Sequence, residues 1–237
     1  LRGLLHGESG LQARLGDEII YKSLIFGDDI HEIHGEDLFR GKLGLTDYQF
    51  SEIQIVLESE STDSDGHTTK TKIQAFKGIV FVADFHKNFN GMTVLSSKNA
   101  ISRSLAGRLA GRLLRPLVFR LTLSKSDRAR KEIKLESDAF NEAFNTRTSD
   151  EIEARYILTS SMMERILAFR DRSKGRIEIS FVDSCMYIAI ASGKNYFETD
   201  VKNPVDGPKL EELYNDLTFF FGLIEGFDLN TRIWNKD

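Results

Sequence analysis

The chain has 237 residues, 41% hydrophobic and 29% charged, with a formal net charge of −4. That is the composition of a folded chain large enough for one sizeable domain, and its charge favours neither nucleic acid nor an anionic membrane. The single cysteine, Cys185, excludes an intrachain disulfide framework and a cysteine-rich metal site. No run approaches the roughly 18 apolar residues that a membrane helix needs. The most apolar stretch, from Leu217 to Ile224, is too short.

The chain opens on Leu1 rather than Met. We therefore read it as a fragment whose native N-terminus, with any signal or anchor, lies outside it. Residues 1–40 form an N-terminal segment with weak periodicity. Leu11 to Leu15 suggests a short helix, and Glu18 to Phe26 fits helix or strand. From Gly41 the period becomes two. Leu43 to Glu58 alternates, with Tyr48, Phe50 and Val56 on one parity and Ile53, Ile55 and Leu57 on the other, which predicts a long strand or two shorter ones. Thr62 to His67 is a polar turn, and Thr68 to Phe76 returns as a strand, making a hairpin. After Lys77-Gly78, apolar residues on both parities of Ile79 to Phe85 predict a central strand. Asn88 to Gly91 supplies a turn, and Met92 to Leu95 a short strand.

Residues 99–115 read as a basic helix bounded by Pro116, and Leu117 to Leu123 as a strand. Ser124 to Lys131 is the best linker in the chain. Ser137 to Asn145 predicts a short helix burying Phe140, Ala143 and Phe144, and Glu151 to Leu158 a strand. Thr159 can cap the next helix, with Ser161 and Glu164 as an alternative capping box, and its stripe is Met163, Ile166, Leu167 and Arg170. Arg176 to Val182 and Cys185 to Ala191 form a hairpin around Asp183-Ser184. Leu210, Leu213, Tyr214, Leu217, Phe220, Phe221 and Ile224 then fall at helical spacing.

The fold class read from this order is α+β: a mostly antiparallel sheet with helices packed on it, ending in a β-α-β-β-α unit. The organisation expected is a segment 1–40, a β-rich half 41–123 carrying the helix 99–115, a linker and strand 124–136, and an α+β half 137–237, all in one compact domain.

A set of segments carries a resemblance. They are Gly35 to Leu38, Gly41 to Gly44, Phe50 to Glu52, Phe76 to Phe85 and Asn88 to Val94, then Glu153 to Arg165, Ile179 to Asp183, Tyr187 to Ile190 and Leu229 to Trp234. In this order they resemble the bacterial Domain-of-Unknown-Function 3137 family over about residues 35–234. Two local departures are Ser160, where similar proteins often have Pro, and Ser184-Cys185, where they often have Gly. The resemblance implies no catalytic residues, since that family has no assigned activity. It implies a protein often carrying membrane helices before the domain, hence a location at the cytoplasmic face, tethered through a missing N-terminal region.

Arg103 to Lys131 holds nine basic residues against Asp127 alone. Arg108, Arg112 and Arg115 lie at i, i+4, i+7 on one helical face, beside Leu105, Leu109 and Leu113. They are the candidates for contact with lipid or phosphate. The plainer account is a surface helix paired with the acidic remainder of the chain. Gly107 to Gly111 is a small-xxx-small pattern suited to close helix packing.

His31 and His34 could share a metal only on a helix with further ligands nearby, and exposed histidines explain them better. Asp63 to Gly66 lacks the closing Glu of a calcium loop. Asp84 with His86, and Glu153 with Arg155, alternate onto strand faces and could serve acid–base chemistry, although strand-end ion pairs suffice. Cys185 reads as a packed thiol. Nucleophile-elbow, phosphate-loop and zinc-protease signatures are absent. No cofactor or metal is expected.

The function read from this is a non-catalytic module of a membrane-linked protein that binds an unknown protein partner. The alternatives are peripheral contact with an anionic membrane surface through residues 99–131, and an enzyme of unrecognised type. Nucleic acid is disfavoured by the acidic balance.

Overall fold

The computed structural model describes residues 5–10, 13–62, 67–98, 130–173 and 175–192, and between 211 and 227 the positions 211, 218, 219, 222 and 224–227. The described strands are β1 (Leu5–Gly10), β2 (Ile30–Leu43), β3 (Thr46–Thr62), β4 (Thr68–Asp84), β5 (Thr93–Ser97), β6 (Lys131–Ile133), β7 (Phe144–Thr148), β8 (Arg176–Val182) and β9 (Cys185–Ala191). They form one open sheet in the order β1-β2-β3-β4-β9-β8-β5-β7-β6, and every pairing is antiparallel. The helices are α1 (Asp17–Lys22), α2 (Asp138–Ala143), α3 (Glu151–Ile157) and α4 (Ser160–Ser173). The architecture is the expected α+β class, an antiparallel sheet with a few helices.

The period of two decides where each side chain goes. On β3, Tyr48 and Phe50 enter one core, while Ile53, Ile55 and Leu57 enter the other. On β4, Ile79, Phe81 and Ala83 join the first core and Val80 and Val82 the second, as a central strand requires. Phe39, Phe50 and Phe81 stack across three neighbouring strands, with centroids 5.0 and 6.1 Å apart.

β4 does not break at Lys77-Gly78, where the sequence suggests a boundary. Gly78 sits at φ +156°, and a Cβ there would lie 2.0 Å from the Ile190 carbonyl oxygen of β9. The glycine lets a continuous strand accept a close backbone neighbour instead of ending it.

Helices cover the first face. Phe140 and Ala143 of α2, Ala154 and Ile157 of α3, and Met162, Met163, Ile166 and Phe169 of α4 pack there against Ile177, Ile179, Phe181, Ile188 and Ile190. Ser137 Oγ accepts the Phe140 N–H at 3.2 Å to start α2. Phe144 does not belong to this helix; it opens β7, a strand the sequence reading missed.

Residues 151–158 correct the expected strand. The Asp150 carboxylate accepts the Glu153 N–H at 3.0 Å, and α3 begins there. Its buried positions, Ala154 and Ile157, are three apart, while Ile152 is 83% exposed. The apparent alternation of Ile152, Ala154, Tyr156 and Leu158 was therefore not a buried strand face. Thr159 does cap the following helix, accepting the Met162 N–H at 3.3 Å.

The second face is covered by the N-terminal segment. Residues 13–16 are not helical, contrary to the short helix expected there, and α1 starts at Asp17. Leu15, Ile20 and Phe26 pack on Ile53, Ile55, Phe76, Val80 and Ala189, and Phe26 meets Phe76 edge-on at 5.0 Å. The proposed helix 99–115, the strand 117–123 and most of the linker lie outside the described residues. Most of the C-terminal helix does as well, although Ile224 and Phe227 are buried in the first core.

Candidate functional site

The sequence pairs Asp84 with His86, and the structure brings a third group to them. His86 lies just past the end of β4 at φ +55°. Asp84 Oδ1 accepts its backbone N–H at 2.9 Å, and Asp84 Oδ2 lies 3.2 Å from His86 Nδ1. On the other side of the ring, Nε2 lies 3.2 Å from Thr46 Oγ1. Carboxylate, imidazole and hydroxyl thus stand in the order that activates a nucleophile in hydrolytic enzymes. Burial decides against that use. Thr46 is completely buried, so no substrate carbonyl reaches its hydroxyl. The cluster locks a left-handed turn and ties the start of β3 to the end of β4.

Glu153 and Arg155 are not a pair. On helix α3, residues two apart point in different directions. Both oxygens of Glu153 accept backbone N–H groups, from Asn90 at 3.1 Å and Gly91 at 2.8 Å, fixing the turn before β5. Arg155 holds Glu136, Glu151 and the Lys134 carbonyl. Each side chain has a structural task of its own.

His31 and His34 both turn to Glu32 between them, at 3.3 and 2.9 Å, and Lys72 of β4 also holds Glu32, at 2.5 Å. Hydrogen bonds from Lys72 and His34 pull the Glu32 carboxyl down to about 2. These residues lie on β2 rather than on a helix, and among the described residues no three His, Cys, Asp or Glu side chains are grouped to hold a metal. Residues 63–66 of the aspartate-rich turn lie outside the described residues.

Arg108, Arg112 and Arg115 also lie outside them. The last two members of the basic stretch do not. Arg130 is 8% exposed, and its Nε donates to Met92 Sδ at 3.0 Å. Lys131 pairs with Glu151 at 3.0 Å. This end of the stretch is built into the fold. Cys185 is half-buried, and desolvation pushes its thiol upward, away from the reactive thiolate.

Above this end of the sheet lies a broad, open groove of about 620 Å³. Its floor is the second face of four strands: Arg40 and Lys42 of β2, Asp47 and Gln49 of β3, Val82 and Asp84 of β4, and Cys185 of β9. The register aligns Arg40 with Gln49 and Val82, and Lys42 with Asp47. Two cations therefore stand on one strand, facing two carboxylates on the next two. Residue-by-residue reading missed this groove because its lining comes from four strands far apart in sequence. The signal present was the polar alternation at both ends of the β2–β3 turn.

No helix among the described residues is long and apolar enough to cross a membrane. No curated protein matches the chain. A solved structure, the mycobacterial trehalose monomycolate transport factor A (TtfA), is similar over 94% of this chain and 88% of its own, with 9% identity and a TM-score of 0.36. A likeness that distant carries no argument about function. The family model described as "Protein of unknown function (DUF3137)" matches residues 74–229, from the middle of β4 to beyond the second hairpin, and the chain belongs to that family.

Proposed function

We propose that this chain is a non-catalytic protein-binding module of a membrane-linked protein, and that the groove over β2, β3, β4 and β9 receives the partner. The observation that carries this reading is the groove's form: wide, open and floored by charges of both signs. Arrays of opposite charges on an open surface fit the polar part of a protein interface, where they fix register and speed encounter. The fate of the acid–base candidates supports it as well. Asp84, His86, Glu153 and Arg155 all hold backbone or neighbouring side chains in place.

The test is capture from a membrane-containing extract of the producing bacterium, using the wild-type chain and an Arg40→Glu/Lys42→Glu variant. A partner retained by the first and lost by the second supports the groove. Equal capture by both removes it.

A second reading keeps Arg108, Arg112 and Arg115 as a contact for anionic lipid, favoured by their i, i+4, i+7 spacing in the densest basic stretch of an acidic chain. Sedimentation with anionic and neutral liposomes across a salt series tests it. Binding that needs anionic lipid, fades with salt and disappears when the three arginines become alanine supports this reading; absence of binding at low salt ends it.

A further inference from the structure

A second cavity opens on the same face of the sheet but at its opposite end, past the N-terminal segment. One wall is apolar: Leu24, Ile25, Phe26, Ile55, Leu57, Ala75, Phe76 and Ala189 among others. The other wall holds Arg130, Arg147, Arg176 and Glu178. We propose that this cavity binds a small anionic amphiphile, its short alkyl tail against Phe26 and Phe76 and its phosphate or carboxylate at the arginine wall.

The cavity is small, about 90 Å³. That is room for a short alkyl chain rather than a long acyl chain. At the tail end the Phe26 and Phe76 rings meet edge to face at 5.0 Å. The head end has donors to give. Arg176 uses Nε and Nη2 on a single oxygen, Glu178 Oε1, both at 2.6 Å. A guanidinium has five N–H groups in a planar fork, so this pair engages only one side of it. The inference does not require Arg130 or Arg147 to be idle: Arg147 lies 3.9 Å from Glu132, and an arriving anion would share the guanidiniums rather than find them empty. Glu178 is the objection, since it opposes a second anion. It is already held by Arg176, its neighbour on the same strand, so the anion binds through the N–H groups of the Arg176 fork that Glu178 does not use. This site is separate from the charged groove and stands whether or not that groove binds a partner.

The experiment is calorimetric titration of the folded chain with a series of alkyl phosphates from methyl to octyl, with hexanol and inorganic phosphate as controls. The proposal predicts one-to-one binding of hexyl phosphate. Affinity should rise about fourfold per methylene while the cavity fills, then level off. Hexanol and inorganic phosphate should each bind at least about 10-fold more weakly, the first for want of the charge-assisted hydrogen bonds. Ala75→Trp, which blocks the tail end, and Arg147→Gln, which weakens the head end, should each reduce affinity about 10-fold or more while circular dichroism stays native. Absence of saturable hexyl phosphate binding to the wild type overturns the proposal. So does hexanol binding equally well, inorganic phosphate binding equally well (an anion site without a tail pocket), or affinity unchanged in Ala75→Trp.

Discussion

Single residues carry sharply different weights in this molecule. Gly78 is one of the least replaceable, because any side chain would meet the Ile190 backbone at 2.0 Å. Backbone cannot swing away as a side-chain tip can, so Gly78→Ala should cost about 2–4 kcal/mol, read as a lower urea midpoint at unchanged slope. Asp150→Ala removes the cap of α3 and should cost about 1 kcal/mol by the same measurement. Arg176 and Glu178 make a pH-dependent case. Burial raises the Glu178 carboxyl above its ordinary 4.5, with Arg176 opposing the rise. The folded protein therefore holds this proton more tightly than the unfolded chain. Its contribution to stability is fully present below about pH 4.5 and is lost as pH rises through the folded value. Arg176→Met strips the carboxylate of its partner and should cost about 2 kcal/mol at pH 7, a figure reduced from the fully buried case because Arg176 is partly exposed. Denaturant melts at pH 7 and pH 5 should show a smaller loss at pH 5, where Glu178 is more nearly neutral; an equal loss would mean that the pair contributes packing rather than charge.

At the scale of elements, alternation was the signal that read most directly. β3, β4, β8 and β9 were legible because two cores lie on opposite faces of the sheet, and each strand must sort its apolar residues by parity. α4 was legible from Thr159 and a helical stripe, although Met162 and Phe169 share its burial and were missed. α3 was not legible. Four apolar residues happen to alternate there, and the real signal was Asp150 capping a helix with acidic residues in its first turn. β7 was missed because Phe144 follows directly on a helix and reads as its last buried residue. Among the described residues, the far end of the β3–β4 hairpin pairs only with itself beyond Leu57, since β2 ends its pairing there. Lys70 joins Glu58 and Glu60 across that ribbon, each at 2.8 Å, and Lys72 holds Glu32. These exposed pairs are screened by salt. The Glu32 contribution exists above its ordinary value of 4.5 and is lost as pH falls toward about 2. Amide protection factors at residues 68–72, each taken relative to the intrinsic exchange rate at the same pH, should therefore fall in high salt and at pH 2–3, while those of Ile79 to Val82 in the central part of β4 stay high.

The described residues form one antiparallel sheet with helices on one face and an N-terminal cover on part of the other. That arrangement gives the acid–base candidates structural tasks. Asp84, His86, Glu153 and Arg155 sit at element ends, where polar side chains are needed to hold turns. Among the described residues, the candidate groove lies instead where the N-terminal cover stops, and its lining residues become neighbours through the register of four strands. A single sequence contains the polar pattern of those strands but not their order in the sheet. We propose that this face binds a protein without catalysing a reaction on it. The most direct test is to compare partner capture by the wild-type chain with capture by the Arg40→Glu/Lys42→Glu variant, both shown to be folded by their melting curves. Charge reversal should abolish capture of a specific partner, and binding to the wild type should weaken as salt rises. A partner retained equally by both chains, or none captured by the wild type, would contradict it.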